Sequence, residues 1–253
     1  MKLLSILITY LFVLPICLGA DVSLSTMWSS NFKAAETGEA QSMSISSILV
    51  SDRIAGVNVG ASSWVSKNLR DEYSEFNFGD LSLTATIPHS IFGLTNGSSR
   101  VLVNIATSKV SREMKNLYSS IGHTLAVPFK LIGNLGGSVS FTNMFHIYKY
   151  ETDIIGGSNT RNQHALGLSL GAPIVESISG FASARVTKSF SHSNAANDSF
   201  HLGAGIRGSW KKLSLTIGYE NADSLLMPNG TNTNLNLFDL ETSSFYISTG
   251  ISF

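Results

Sequence analysis

After residue 20 the chain repeatedly alternates apolar and polar residues, over segments that are about ten residues long. The clearest segment is residues 199–210, where Phe200, Leu202, Ala204, Ile206 and Trp210 alternate with His201, Gly203, Gly205, Arg207 and Ser209. Successive side chains of a β-strand point to opposite faces of the sheet, so each segment has one apolar face and one polar face. The chain therefore folds into sheet whose two faces meet different environments.

We predict twelve such strands, with ten as the alternative count. The strands are placed at residues 22–31, 41–50, 53–64, 77–87, 99–108, 117–127, 136–149, 163–172, 177–190, 199–210, 213–221 and 243–253. A strand of about ten residues, tilted in the bilayer, is long enough to cross it. The predicted fold class is all-β, a transmembrane antiparallel up-and-down β-barrel.

The predicted connections alternate in length. The first, third and later odd-numbered linkers are mostly long, whereas the second, eighth and tenth are tight turns at residues 51–52, 173–176 and 211–212. Outer-membrane barrels have short periplasmic turns and longer external loops, and an even strand number leaves both termini in the periplasm. The fourth linker, residues 88–98, is longer than this rule predicts.

The second, third and sixth strands alternate least cleanly. In the sixth strand, His123 falls on the same face as Ile121, Leu125 and Val127. An imidazole in the middle of a lipid-facing row is costly. Either the face or the register is therefore different in this strand.

The amino terminus has the layout of a secretory signal peptide. Lys2 precedes an apolar run from Leu3 to Leu14, and the small residues Gly19 and Ala20 come before the first charged residue, Asp21. The run is too short for a membrane-spanning helix, and we expect cleavage after Gly19 or Ala20. We therefore predict a signal peptide at 1–20 and a single barrel domain at 21–253.

Composition after the signal peptide excludes several classes of protein. Cys17 lies within the predicted signal, so the mature chain has no thiol for disulfides or catalysis. The 17 Lys and Arg include Lys2, which leaves 16 against 17 Asp and Glu, and this balance indicates no nucleic-acid partner. Charged residues are 13% of the chain, against about 25% in soluble domains. With no second long apolar run, these features favour a closed barrel over a helical membrane protein.

The last nine residues, 245–253, form an alternating strand that ends on Phe253. This ending resembles the closing strand of bacterial outer-membrane β-barrel proteins, and the chain is similar to small porin-like members of that superfamily. The resemblance implies localisation in the outer membrane of a Gram-negative bacterium. It also implies contact with the lipid bilayer and lipopolysaccharide, assembly by periplasmic chaperones and the barrel-assembly machinery, and a role for Phe253 as part of the assembly signal.

The polar faces of the predicted strands are dominated by Ser, Gly, Thr and Ala, which leave space inside a barrel of about twelve strands. The ionisable residues placed on these faces are Asp80, Arg185, His201, Arg207 and Glu220. Both signs are present, so no ion preference follows. With Lys211-Lys212 as a two-residue turn, Glu220 lies opposite Gly203 and close to His201. The sequence predicts a small channel for passive diffusion of hydrophilic solutes, with no cofactor and no metal.

Two other functions are compatible with the sequence. The long linker 222–242 favours a closed surface-interaction barrel of the adhesin or antigen type. The segment 191–195 is similar to the His-x-Ser-Asn-Ala stretch of the lipid A deacylase family, which would imply a lipid hydrolase. It departs from that pattern because His192 and Ser193 are adjacent and, in a strand, would point to opposite faces. We therefore expect no enzyme activity.

Overall fold

We analysed a computed structural model of the chain, which describes residues 20–31, 42–68, 76–91, 95–225 and 242–253. The predicted signal peptide, apart from Ala20, lies outside the described residues, and so do residues 226–241 of the long linker 222–242. In the described part of the chain, no helix has the length and apolar character that a membrane crossing requires.

Twelve long strands make up the structure. They are β1 Asp21–Asn31, β2 Ser42–Ile54, β3 Val57–Asn68, β4 Leu81–Ile91, β5 Thr95–Ile105, β6 Leu117–Lys130, β7 Gly136–Tyr148, β8 Thr160–Val175, β9 Ile178–Ser191, β10 Ala196–Trp210, β11 Leu213–Ser224 and β12 Ser243–Ser252. A two-residue strand, Asn77–Phe78, precedes β4 and pairs with Val65 and Ser66. This agrees with the predicted count of twelve rather than ten.

The strands form one closed antiparallel sheet. Each strand pairs with its neighbours in sequence, and β1 pairs both with β2 and with β12. The closing register sets Trp28 opposite Ile247 and Ser25 opposite Gly250. Closure removes the unpaired sheet edges that would otherwise expose backbone N–H and C=O groups. The predicted all-β, up-and-down barrel is confirmed.

Large apolar side chains lie on the outside of this barrel. Leu166 is 59% exposed, Ile206 52% and Ile217 55%. Their positions alternate with small or polar residues such as Gly167 and Thr216 on the opposite, inner face. An apolar outer surface is what a bilayer-facing barrel needs and what a soluble sandwich avoids.

Two predicted connections are wrong, and the eighth, predicted at residues 173–176, narrows to Glu176-Ser177 because Pro173 and Val175 pair with β9. The turn between β2 and β3 is Ala55-Gly56 rather than residues 51–52, because Asp52 and Arg53 still pair with β3. Both turn residues have positive φ, 50° at Ala55 and 86° at Gly56, and glycine adopts that conformation without strain. The linker predicted at 88–98 shrinks to 92–94, since β4 and β5 pair as far as Ile91 and Thr95. The fourth connection is thus as short as the alternation rule requires.

The register of β6 shows on which face of the sheet His123 lies. His123 pairs with Val101 on β5 and Asn143 on β7. Directly paired residues share a face of the sheet, and Val101 is an exposed residue of the outer surface. His123 therefore does lie on the outer face, together with Ile121 and Leu125.

The two rims of the barrel differ. One rim, here called the turn rim, carries the start of β1, the end of β12 and tight connections such as Lys211-Lys212. The opposite rim, the loop rim, carries the longer connections, including a five-residue π-helical turn at Val110–Met114. Asn159, which is almost fully buried, connects three loops there. Its side-chain amide donates to the backbone carbonyls of Lys115 and Tyr150, and its backbone carbonyl accepts from the N–H of His192.

Candidate functional site

A row of small residues follows the inner face across β5 to β8. The pairs Ser98–Ala126, Ala126–Ser140 and Ser140–Gly167 are successive cross-strand neighbours, and Gly167 pairs in turn with Arg185 on β9. None of the four small residues extends far from the wall. The Arg185 guanidinium therefore stands beside a stretch of wall that leaves the interior free.

His201 and Glu220 meet where the sequence predicts. Lys211 and Lys212 form the turn, Trp210 pairs with Leu213, and Glu220 lies opposite Gly203. The Nε2 of His201 is 3.4 Å from Oε2 of Glu220, and Ser244 donates its hydroxyl to the other carboxylate oxygen at 3.1 Å. His201 is also the cross-strand partner of Arg185. One carboxylate, one imidazole and one guanidinium thus share a patch of the inner face.

Arg207 lies on the same face, nearer the turn rim. Its Nε donates to Thr216 Oγ1 at 3.3 Å, and its guanidinium is 5.6 Å from the centre of the Phe181 ring. Two aromatic rings here lie against glycines: a Cβ at Gly205 would be 2.8 Å from Phe181, and one at Gly218 would be 2.5 Å from the Tyr246 ring. Rings held flat on the wall keep the interior wide at this level.

Sequence reasoning missed further cations on the inner face. Arg100, in the predicted strand 99–108, pairs with Thr86 and Thr124, which places it inside the barrel. By the same alternation Arg53 and Lys130 point inward near the turn rim. The signal that could have found Arg100 is the alternation of Arg100, Leu102 and Asn104 with Val101, Val103 and Ile105.

The inner face therefore has an excess of positive charge. At regular strand positions of the described residues it carries Arg53, Arg100, Lys130, Arg185 and Arg207 against Asp21 and Glu220. In the described part of the chain, Arg100, Arg185 and Arg207 have no ion pair with a carboxylate. Unpaired guanidinium groups on a concave surface attract anions. This differs from the balanced charge that the sequence indicated.

Strands β1 to β3 contribute a second kind of inner surface. Met27 pairs with Ser248, Ile45 with Met27, and Trp64 with Ser47, so these larger apolar side chains lie on the inner face. Leu49 joins them, with its Cδ1 3.5 Å from the position a Cβ would take at Gly60. The wall of small residues predicted from sequence is thus interrupted on this side of the barrel.

The sequence placed Asp80 on the inner face, and in the structure it lies at the end of the wall, just before β4 begins. It precedes β4 at the loop rim, where Oδ1 accepts the N–H groups of Thr107 and Ser108 and Oδ2 accepts the Ser111 hydroxyl at 2.6 Å. Burial raises the pKa of this carboxyl, but the hydrogen bonds from Ser111, Ser108 and Thr107 outweigh it, so the pKa of Asp80 lies below its ordinary value of 3.8. Asp80 anchors the loop that follows β5.

His192 and Ser193 do not form a catalytic pair. The Ser193 hydroxyl bonds to Ser191 Oγ at 2.8 Å, whereas Nδ1 of His192 faces Glu151 at 3.9 Å. A Ser–His dyad needs a direct hydrogen bond between the two side chains. Within the described ranges there is also no group of three or more His, Cys, Asp or Glu residues that could hold a metal ion.

Several solved structures have the same architecture. An outer-membrane channel from Pseudomonas putida F1 superimposes with a TM-score of 0.63 at 10% identity, covering 92% of this chain and 95% of that one. The NanC porin gives a TM-score of 0.58 at 11% identity over 92% and 98% of the two chains. The KdgM porin gives 0.54 at 9% identity over 91% and 99%.

No protein-family model and no curated protein sequence matches this chain. The similarity to the three channels therefore lies in the fold, and it extends over almost the whole length of each. The chain is a closed twelve-stranded β-barrel of the kind found in bacterial outer-membrane porins.

Proposed function

We propose that this protein is an outer-membrane channel through which small hydrophilic solutes diffuse passively, with a preference for anions. The observation that carries the proposal is the inner face, on which Arg100, Arg185 and Arg207 have no carboxylate partner among the residues that the structure describes. A barrel of about eight strands is filled by its own side chains and one of about sixteen holds an aqueous channel, so twelve strands with a partly small-residue lining support a narrow pore.

Arg185, Arg207 and Arg100 would raise the concentration of anions in the lumen. Low-dielectric walls around like charges focus the field, and this raises local counter-ion concentration by about tenfold or more. His201 and Glu220 would act as a polar brace between β10 and β11, since each already has a partner in the wall. Neither role requires a cofactor.

The proposed setting follows from the same fold. Residues 1–20 would direct export and be removed, the barrel-assembly machinery would read the end of β12 at Phe253, and the loop rim would face the cell exterior beside lipopolysaccharide. The similarity to channel folds and the separation of His192 from Ser193 both support a non-enzymatic protein.

The proposal is tested by inserting purified, folded protein into planar lipid bilayers. We expect discrete conductance steps, together with swelling of liposomes in solutions of small sugars. Protein that had been unfolded by heating before insertion is the control and should give neither signal. Folded protein that inserts but gives no conductance steps and no swelling would contradict the channel function and leave a closed barrel.

A further inference from the structure

A row of five polar side chains crosses the outer face of β6 to β10. His123, Asn143, His164, Lys188 and Asp198 are successive cross-strand partners on β6, β7, β8, β9 and β10. We call these five residues the polar row. Because direct partners share a face and His123 pairs with the outward-facing Val101, the whole row lies on the outer surface.

Largely apolar rows flank the polar row on both sides. Toward the turn rim the neighbouring row contains Leu125, Phe141, Leu166 and Val186. Toward the loop rim it contains Ile121, Phe145 and Phe190, together with Asn162, whose Nδ2 is 3.3 Å from Nε2 of His164. Most of these side chains are strongly exposed, Phe145 to 55% and Leu166 to 59%. On β6 to β10 the polar row thus interrupts a largely apolar surface.

Contacts between neighbouring members hold the side chains of the polar row, but they do not supply every polar group with a hydrogen-bond partner. His164 Nδ1 bonds to Asn143 Oδ1, and Lys188 lies 3.7 Å from Asp198 Oδ2. In the described part of the chain, the exposed imidazole of His123 has no hydrogen-bond partner. Hydrocarbon offers no such partner, so polar side chains on this face are costly in lipid.

The chemistry of the row fits a protein surface better than a lipid headgroup. An anionic headgroup is recognised by clustered cations, but the only lysine here is paired with Asp198, so the row has no net charge. Amide and neutral imidazole groups each carry a donor and an acceptor. A surface made of such groups is complementary to a copy of itself, which is the requirement of a twofold interface.

We propose that the outer face of β6 to β10 is an interface between two copies of this chain within the membrane. Both copies have the same orientation in the bilayer, so the twofold axis runs parallel to the barrel axes. Strands in such barrels are tilted, so a row at right angles to them is inclined, and two identical rows facing each other cross at their centres. The crossing places Asn143 and His164 next to the same residues of the second copy, with the flanking apolar rows around them.

Cysteine cross-linking in intact outer membranes tests the interface. The only cysteine of the chain is Cys17, in the predicted signal peptide, so single replacements give specific products. We expect Asn143→Cys and His164→Cys to give a dimer on oxidation, and Ile217→Cys, a control on the outer face of β11, to remain monomeric. Equal yields at the three positions, or no dimer at any of them, would overturn the proposal. Heat-modifiable gel migration shows that each variant is folded.

Apolar replacements separate a protein neighbour from lipid. In a His123→Leu, His164→Leu double variant carrying Asn143→Cys, we expect the dimer yield to fall by about tenfold, because the polar contacts are lost. If the row faces lipid, the double variant should be more resistant to unfolding, with an unchanged oligomeric state, and the proposal is wrong. Lipopolysaccharide that co-purifies with the wild type and is lost in Lys188→Ala, without any dimer, would also overturn it.

Discussion

At the residue scale, one carboxylate holds a loop to the rim of the barrel. Asp80 accepts two backbone N–H groups and one hydroxyl from the loop after β5, at distances of 3.0, 2.9 and 2.6 Å. Hydrogen bonds to an ionised carboxylate are stronger than those between neutral groups. The order of this loop therefore depends on the charge of a single side chain.

Asp80→Asn should lower the protection of the Thr107 and Ser108 amides from hydrogen exchange by about tenfold at neutral pH. The pKa of the folded carboxyl lies below 3.8, so its contribution is complete above that value and is lost as the pH falls through the lower, folded pKa. Protection factors measured by NMR in detergent, from neutral pH to about pH 2, should show this loss in the wild type and not in Asp80→Asn.

Asp153→Asn provides the matched control for this prediction. Asp153 accepts the N–H groups of Ile155 and Gly157 within its own loop. Its replacement should expose those two amides and leave Thr107 and Ser108 protected. Unchanged protection of Thr107 and Ser108 in Asp80→Asn would show that the carboxylate does not order the loop.

At the element scale, β10 and β11 approach each other closely through glycines. A Cβ at Gly205 would lie 2.4 Å from the Ile217 carbonyl and 2.8 Å from the Gly218 Cα, and backbone atoms cannot move aside. At Gly180 on β9, the nearest heavy atom to an added Cβ is the end of Ile174, at 3.7 Å. The same substitution therefore has different consequences on neighbouring strands.

Gly205→Ala should destabilise the barrel by about 1–3 kcal/mol, as overpacking does in a filled site. Gly180→Ala should have little effect. The measurement is the urea concentration at which each variant loses its heat-modifiable, folded band. A midpoint for Gly205→Ala equal to that of Gly180→Ala would mean that the two strands separate at little cost.

For the cleanly alternating strands β10 and β11, the sequence predicted the ends at the turn correctly and missed the last three residues at the loop rim. For β10 and β11 the two-residue turn Lys211-Lys212 also fixed the register, and so the contact between His201 and Glu220. Prediction failed where the turn signal was misleading. Asp52 is a common turn residue, but it lies in β2 and pairs with Val59 on β3. Proline commonly ends a strand, but Pro88 lies inside β4 and pairs with Ser98. The bounds of these strands are set by backbone hydrogen bonding along the whole length of the neighbouring strands. The residues around a single turn do not reveal that pairing.

The residue after β12 is the proposed assembly signal. Phe253 follows the strand, its N–H donates to the Val22 carbonyl at 2.9 Å, and its ring is 52% exposed at the turn rim. Removal of Phe253 should reduce the amount of protein assembled in the outer membrane more than it changes the conductance of the protein that does assemble. Ser252→Ala, which leaves the terminal aromatic in place, is the control. Normal outer-membrane levels of the truncated chain would refute an assembly role.

At the scale of the whole molecule, the barrel has most of its large apolar residues outside and an excess of cations inside. The first property could be predicted from alternation alone. The second could not, because the overall charge is balanced and the inner set depends on which residues pair across strands. The register places Arg100 inside, and the carboxylate of Asp80 is bound to the loop after β5. We therefore predict an anion-preferring channel from a chain with no net charge.

Substitutions on the inner face should change the anion preference in opposite directions. Glu220→Gln removes the inner carboxylate nearest to His201 and should increase the preference for anions. The triple variant Arg100→Gln, Arg185→Gln, Arg207→Gln should decrease it, by about tenfold at low salt. Lys67→Gln is the matched control, since Lys67 lies on the outer face of β3 and points away from the lumen.

The most direct measurement is the reversal potential of single channels in a planar bilayer between two KCl concentrations. The wild type should show a potential of the sign for chloride preference, which weakens as the salt is raised because screening shortens from about 10 Å at 0.1 M to about 3 Å at 1 M. The triple arginine variant should approach zero, and Lys67→Gln should match the wild type. A wild-type potential of the sign for potassium preference, or one that the triple variant leaves unchanged, would contradict a lumen controlled by these arginines.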